Sequence, residues 1–347
     1  MTADTPFAAT LLEHSASAYA AEAAAIVAEP SGEAFQAWQQ HLTQRVFELA
    51  AAVAHAEPAL FVARVRWSRK AFQARGRDTG LLVQSLEALG EVLDRQLPPA
   101  AGHMPQDTVA AALEVLRTPD EGPADAGLDP AREEDRLALT FLNLVLEGHV
   151  AEALSRITQA ATTLPVERLY LEVLIPAQRE IGSLWQLGDL SIPEEHLVTT
   201  TTERAMAILA HRAPRAPANG RTVLIAGVAG NAHALALRAA ADLFELAGWR
   251  ALLLGTDVPA EELPAAIAFF GADLLVLSAV LSTQLRQVED SIAAVRRQCG
   301  PEVRILVGGG AFDEVLGLWR RLGADGYAAT LGDATRVGGE LVGLGLP

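Results

Sequence analysis

From Arg221 to the end of the chain, short apolar runs alternate with helix-length amphipathic stretches, and this alternation constrains the fold more than any other feature. The runs are TVLIAGV (222–228), RALLLG (250–255), DLLVLSA (273–279), VRILVGG (303–309) and GYAA (326–329). Runs that stay apolar without alternating belong to strands covered on both faces, so the pattern predicts a parallel sheet built of five β-α units over residues 221–347.

The first run is not followed by Gly-x-Gly-x-x-Gly, which favours a flavodoxin-like (Rossmann-like) strand order over the dinucleotide-binding one. Upstream, the chain reads as helix throughout. Residues 1–118 are Ala-rich with apolar side chains at three- and four-residue spacing, among them Leu42, Val46, Leu49 and Val53, and predict an all-helical domain of four or five helices. Its breaks are expected at Pro30-Ser31-Gly32, Glu57-Pro58, Gly76 and Pro98-Pro99. Residues 119–135 carry Pro, Gly and acidic residues with almost no large apolar side chain, the composition of a linker. Residues 136–212 predict a four-helix bundle divided at Glu147-Gly148, Thr163-Leu164-Pro165 and Gly188-Asp189, followed by a shorter linker over 213–220. The expected fold class is therefore α plus α/β: a helical N-terminal domain, a four-helix cap and a five-stranded parallel domain.

Composition excludes several functions. At 347 residues with a formal charge of -16, the chain does not suit sequence-independent binding of nucleic acid, which needs clustered cations. The local exception, Arg64, Arg66, Arg69, Lys70, Arg75 and Arg77, reads as the solvated face of a helix. No apolar run approaches the roughly 20 residues that span a bilayer, and the start lacks a basic region ahead of an apolar one. A cytoplasmic protein without a membrane partner is expected. The single Cys299 rules out an internal disulfide framework and a multi-cysteine metal site.

In an open parallel sheet, ligands bind beyond the carboxyl ends of the strands where the strand order reverses. The first strand ends in Gly227-Val228-Ala229-Gly230-Asn231-Ala232-His233, which brings a histidine to that edge just before a helix. The third run leads into Ser278, Val280 and Ser282, and the fourth into Gly308-Gly309-Gly310, where missing side chains let a bulky ligand approach the backbone. Asn231 stands two residues before His233, close enough for its oxygen to accept a hydrogen bond from one ring nitrogen and leave the other for a metal. One histidine cannot fill an ordinary protein metal site, but it suffices for a metal that a macrocycle already holds equatorially.

These residues resemble the cobalamin-binding domains of methionine synthase, corrinoid methyltransferase subunits and adenosylcobalamin mutases. That family carries Asp-x-His-x-x-Gly after its first strand, Ser-x-Leu at the end of the third and Gly-Gly at the end of the fourth. Here the first motif reads Asn231-x-His233-x-x-Ala236 and the second Ser278-x-Val280, over a resemblance that spans residues 136–345. The resemblance implies His233 as the lower axial ligand to cobalt and cofactor contacts from Asn231, Ala236, Ser278, Val280, Ser282, Gly308, Gly309 and Gly310. Asn in place of Asp orients the imidazole without adding charge, which implies a weaker bond to cobalt. Ala236 adds a methyl group where the nucleotide tail passes.

The cap adds a second likeness. Trp185, nine intervening residues and Glu195-His196 resemble light-sensing cobalamin domains of the CarH and LitR type. That likeness implies adenosylcobalamin as chromophore, Trp185 and the Glu195-His196 pair on its upper face, and light-dependent homo-oligomers as output. In that subgroup a histidine may follow the Trp directly; Gln186 stands there in this chain, which leaves His196 as the candidate upper ligand after photolysis. The N-terminal region lacks a recognisable DNA-binding helix and looks more like that of photocobilins, which also bind biliverdin. By that analogy a non-covalent bilin would pair its propionates with Arg64, Arg66, Arg69 or Arg75 and pack on Trp67 and Phe72. Three functions follow: a non-enzymatic light sensor acting on an unknown protein partner, a corrinoid methyl carrier, and a degenerate domain that only binds proteins.

Overall fold

A computed structural model describes residues 4–31, 34–74, 77–118, 128–187 and 191–344. The chain divides into two compact units, one over Met1–Gly122 with Glu314–Leu316 and the other over Pro123–Asp313 and Gly317–Pro347.

The first unit holds five α-helices among its described residues: α1 (Asp4–Ser31), α2 (Phe35–Ala54), α3 (Pro58–Ala74), α4 (Thr79–Gln96) and α5 (Met104–Arg117). Pro58 opens α3 at the position where a missing N–H costs nothing, and a short 3-10 turn at Pro99–Ala101 separates α4 from α5. Asp78 caps α4 by accepting the Gly80 N–H at 2.8 Å. The core is aliphatic and aromatic, with Leu12, Trp38, Leu42, Leu49, Phe61, Leu82, Leu86 and Leu89 buried. The expected breaks at Gly32 and Gly76, and residues 119–127 of the expected linker, lie outside the described residues.

Polar side chains also enter this core, contrary to the expected solvated arginine face. Arg69 is 5% exposed and its Nη1 donates to the carbonyls of Val115 and Thr118 at 3.0 and 2.9 Å. It satisfies carbonyls that the end of α5 leaves without partners. Arg64 reaches the buried Glu48 at 3.3 Å and lies 4.7 Å over the Trp67 ring. A face reads as solvated by charge count alone, but an arginine fork that finds carbonyls and a carboxylate can be buried.

In the second unit the cap comprises α6 (Glu133–Leu146), α7 (Val150–Ala160), α8 (Val166–Leu169), a π-helical turn (Tyr170–Leu174), α9 (Ile175–Leu187) and α10 (Ile192–Arg212). The stretch 166–187 is continuous, so the cap amounts to four helices. Pro176 explains the wide turn: in an ordinary helix its ring would collide with the carbonyl four residues back, and one extra residue per turn relieves that. The break expected at Gly188-Asp189 lies outside the described residues.

The remaining elements are β1 (Thr222–Val228), α11 (Ala234–Leu246), β2 (Arg250–Val258), α12 (Leu263–Phe270), β3 (Leu274–Ser278), α13 (Leu285–Cys299), β4 (Arg304–Gly308), α14 (Leu318–Arg321), β5 (Gly326–Ala328) and α15 (Asp333–Leu341). The sheet is parallel with order β2-β1-β3-β4-β5, the flavodoxin-like order. β2 runs three residues longer than its apolar core suggests. The connection from β4 to β5 carries only the four-residue α14 after a short turn, where a full helix was expected. Gly309, Gly310 and Gly317 interrupt any helical run there.

Helix α11 joins cap and sheet. Its Leu235, Ala239 and Leu243, at four-residue spacing, pack into the cap core with Phe141, Leu174, Ile181 and Met206. Its Leu237, Ala240, Ala241 and Phe244 pack with Val223, Ile225, Leu274 and Leu306 of the sheet. The Tyr170 hydroxyl donates to Asp242 Oδ2 of α11 and lies 2.8 Å from the Met206 carbonyl. Burial pushes the pKa of both Tyr170 and Asp242 up.

Candidate functional site

Strand register sets the floor of the site. Gly227 pairs with Ser278, Ser278 with Gly308, and Gly308 with Ala328, so four strands end in one row. The loops beyond that row carry the residues singled out from the sequence.

Asn231 is fully buried and organises the first loop. Its amide nitrogen donates to the Ser278 carbonyl at 2.9 Å, and its Oδ1 receives the His233 backbone N–H at 3.1 Å. The same oxygen lies 3.0 Å from His233 Nδ1. An amide oxygen only accepts, so Nδ1 carries the proton and Nε2 keeps its lone pair. Partial burial holds the His233 pKa below the ordinary imidazole value, which favours this neutral form. The imidazole is otherwise exposed at the sheet edge.

Two further residues, which the sequence gave no local reason to single out, tie the loops together. Gln284 is 4% exposed; its Oε1 accepts the N–H groups of Val280 and Leu281, and its Nε2 donates to the Gly230 carbonyl at 2.8 Å. Asp257 at the end of β2 accepts the Gly230 N–H at 2.7 Å. Only the pairing of strands brings these residues to the loop after β1.

Gly309 has φ of +101°, and a Cβ there would stand 2.3 Å from the Ala279 carbonyl oxygen, so no other residue fits without moving the backbone. Gly310 passes Val280 less closely, a built Cβ standing 3.2 Å from that carbonyl oxygen, a tight contact. Ala236, Ser278, Gly308, Gly309 and Gly310 line one cavity of about 170 Å3 beneath this edge, with Ile225, Val276 and Val307 of the sheet. Ile175 and Arg179, four residues apart on α9, close it from the cap. This volume is below the roughly 300 Å3 at which pockets for whole drug-sized ligands begin, so it suits one arm of a larger ligand.

On the cap, Glu194 accepts both the backbone N–H and the hydroxyl of Ser191, which fixes the start of α10 and holds its carboxyl below the usual range. The next two residues form a pair: His196 Nδ1 lies 2.6 Å from Glu195 Oε2. Glu195 Oε1 accepts from Thr199 at 2.7 Å, and Gln178 of α9 donates to the Thr199 hydroxyl at 2.6 Å. The side chains of Trp185 and Gln186 lie outside the described residues, as does Arg75.

A corrinoid fits this edge on three observations. The Ser282 hydroxyl oxygen is buried with no hydrogen-bond partner, a polar group awaiting one. The Gly308–Gly310 backbone forms a cradle that a Cβ would fill. His233 and Asn231 supply a neutral, oriented imidazole, the donor that a macrocycle-held metal takes. Three of the side chains expected to hold a bilin are differently engaged, while Arg66 is exposed: Arg69 binds carbonyls of α5, Arg64 pairs with Glu48, and Phe72 is 5% exposed with Arg77 4.3 Å above its ring.

Residues 221–335 match the family model described as B12 binding domain, and residues 137–210 match a second model of the same description. A corrinoid protein of Desulfitobacterium hafniense is 27% identical over 176 residues, 49% of this chain and 80% of that protein. The HTH-type transcriptional repressor CarH of Myxococcus xanthus is 31% identical over 165 residues, 48% of this chain and 54% of the repressor. The match thus spans about half the repressor's length. Among solved structures, the monomethylamine corrinoid protein of Methanosarcina barkeri aligns with a TM-score of 0.53 at 18% identity, covering 60% of this chain and 99% of that one. At that identity the likeness speaks for the fold. No helix among the described residues is long and apolar enough to cross a membrane. The chain thus carries B12-binding domains over residues 137–210 and 221–335 and is a cobalamin-binding protein.

Proposed function

We propose that the chain is a light sensor rather than an enzyme, with adenosylcobalamin held between the cap and the carboxyl edge of the sheet. The observation that carries this reading is the Glu195–His196 hydrogen bond near the start of α10, with nine residues between Trp185 and Glu195. Adenosylcobalamin supplies, when bound, a cobalt–carbon bond that light breaks. His233 would offer Nε2 to the metal, with Nδ1 tied to Asn231. Ser282 and the glycines after β4 take the ligand close to the backbone. Glu195 holds the Nδ1 side of His196 and leaves Nε2 outward, and Gln178 and Thr199 tie that pair to α9. A ring whose one nitrogen is already anchored loses less freedom on taking a second partner. The output is a change in cap packing and in oligomeric state that a protein partner reads. Similarity to CarH, named as a repressor, supports the regulatory side of this reading. A bilin is left out of the proposal because Arg64, Arg69 and Phe72, three of the residues expected for it, have partners within the first unit.

The test is the visible spectrum and elution volume of protein purified with adenosylcobalamin, recorded before and after green illumination. Both are expected to change. A spectrum and an elution volume that stay the same under light overturn the proposal. The second reading, a corrinoid methyl carrier, is supported by similarity to the Desulfitobacterium hafniense corrinoid protein over 80% of its length. Methyl transfer from the loaded protein to a partner methyltransferase, with no response to light, would establish it instead.

A further inference from the structure

Among the residues lining the cavity under the sheet edge, Arg179 is the only cation and Asp313 the only carboxylate. Asp313 is engaged, accepting the Tyr327 hydroxyl at 2.6 Å. Arg179 makes no hydrogen bond or ion pair with another described residue. It stands exposed on α9, whereas Ile225, Val276, Val307 and Ala240 deeper in the cavity are buried and apolar. Its placement follows from the π-helical turn at Tyr170–Leu174, after which Ile175 and Arg179 share the helix face that closes the cavity.

An apolar floor with a lone arginine at the rim matches a ligand arm that ends in an apolar ring and carries an anionic group nearer solvent. A guanidinium presents a planar fork of donors suited to a phosphate diester. A cobalamin has one such arm, the nucleotide tail, in which a benzimidazole is joined through ribose to a phosphodiester. Resting on the cobalamin reading above, we propose that Arg179 recognises the anionic phosphodiester of that tail, so that this chain selects corrinoids with a complete nucleotide over those without one. Arg179 is a specificity residue in this role and takes no part in axial ligation.

The experiment is a titration of the full chain and its R179Q and R179K variants with adenosylcobalamin and with adenosylcobinamide, which lacks the nucleotide. Visible absorbance is followed at low and high salt. For R179Q the affinity for adenosylcobalamin is expected to fall roughly tenfold, most at low salt, with adenosylcobinamide binding unchanged. R179K is expected to recover part of the loss, because it keeps the charge without the fork. Thermal unfolding of both variants should match the parent, since the side chain is exposed. Cobalamin binding by R179Q as tight as by the parent, or equal loss for both corrinoids, overturns the role of Arg179 while the cobalamin reading stands. A parent protein that takes up neither corrinoid overturns that reading and this inference with it.

Discussion

The first unit and the sheet edge of the second both bury polar side chains, but of different kinds. In the helical unit, besides hydroxyls such as those of Ser85 and Thr108, they include charges: Arg45 at 4% exposure, Glu48 at 2% and Arg69 at 5%. Arg45 meets Glu48 through its two terminal guanidinium nitrogens, at 3.0 and 2.9 Å, and Arg64 joins from α3. At the sheet edge they are neutral: Asn231, Gln284 and Ser282. Buried ion pairs rarely add net stability over an apolar core, yet removing one partner is expensive. Neutral amides cost less to bury and can donate and accept at once, so they shape loops around a ligand without fixing charge there. The helical unit therefore guards its internal charges, and the sheet edge guards a backbone shape.

The largest effect should come from breaking the charge network. Glu48→Ala leaves Arg45 buried without its counter-ion, and the unit that holds it is expected to lose about 3–5 kcal/mol in urea unfolding. A loss under about 1 kcal/mol would mean the arginines find other partners.

Gly309→Ala attacks the other region. The added methyl meets the Ala279 carbonyl in a backbone conformation that disfavours it, at an expected cost of about 2–3 kcal/mol. Cobalamin uptake should fall with it while the helical unit unfolds as before. Equal uptake by the variant would show that the glycine cradle is not needed.

His233→Ala should scarcely alter stability, because the ring is exposed, but should weaken cobalamin binding by at least about tenfold. Its holo spectrum should lose the signature of a protein-derived lower ligand. A parental spectrum would refute the axial assignment.

A fourth comparison uses pH. His41 in α2 is half-buried, with its Nε2 buried and lacking a hydrogen-bond partner, and burial, with Arg45 and Arg77 nearby, lowers its pKa from 6.5 to about 3. The unfolded chain binds the extra proton between these values, so this contribution to stability is full above pH 6.5 and is lost as pH falls toward 3. The slope is at most about 1.4 kcal/mol per pH unit. His41→Phe, which keeps the edge-on contact with Trp38 and the tilted one with Phe72, should flatten it; an unchanged pH profile of urea midpoints would assign the slope to other groups. At the sheet edge the depressed pKa of His233 calls for weaker metal binding only once acid protonates that ring.

The smallest effect on the dark protein belongs to His196→Ala. Its side chain is 71% exposed, so stability should move by no more than about 0.5 kcal/mol and dark binding should stay parental. The illuminated form should decay or dissociate sooner. Identical light-state lifetimes would remove His196 from the mechanism.

Much of the α/β part was legible beforehand because its signals are local. Runs such as TVLIAGV and VRILVGG announce buried strands, and the absence of the dinucleotide fingerprint pointed to the order that the sheet adopts. The Asn231–His233 hydrogen bond was equally readable, since residues two apart in a turn can meet. The role of Gln284 as a clamp between loops was not, because its bond to Gly230 reaches a loop that comes close only when β1 and β3 pair. Nor was Arg69, whose charge suggested solvent until the end of α5 offered it carbonyls.

By itself, then, the sequence determined the class of each segment and brought the motif residues to the carboxyl edge of the strands, since periodicity, glycine and short-range hydrogen bonding act within a few residues. The tertiary structure alone decided which charges are buried, how a π-helical turn aims Ile175 and Arg179 at the cavity, and which side chains clamp the loops. Those outcomes depend on groups that are far apart in the chain and meet only after packing has brought them together.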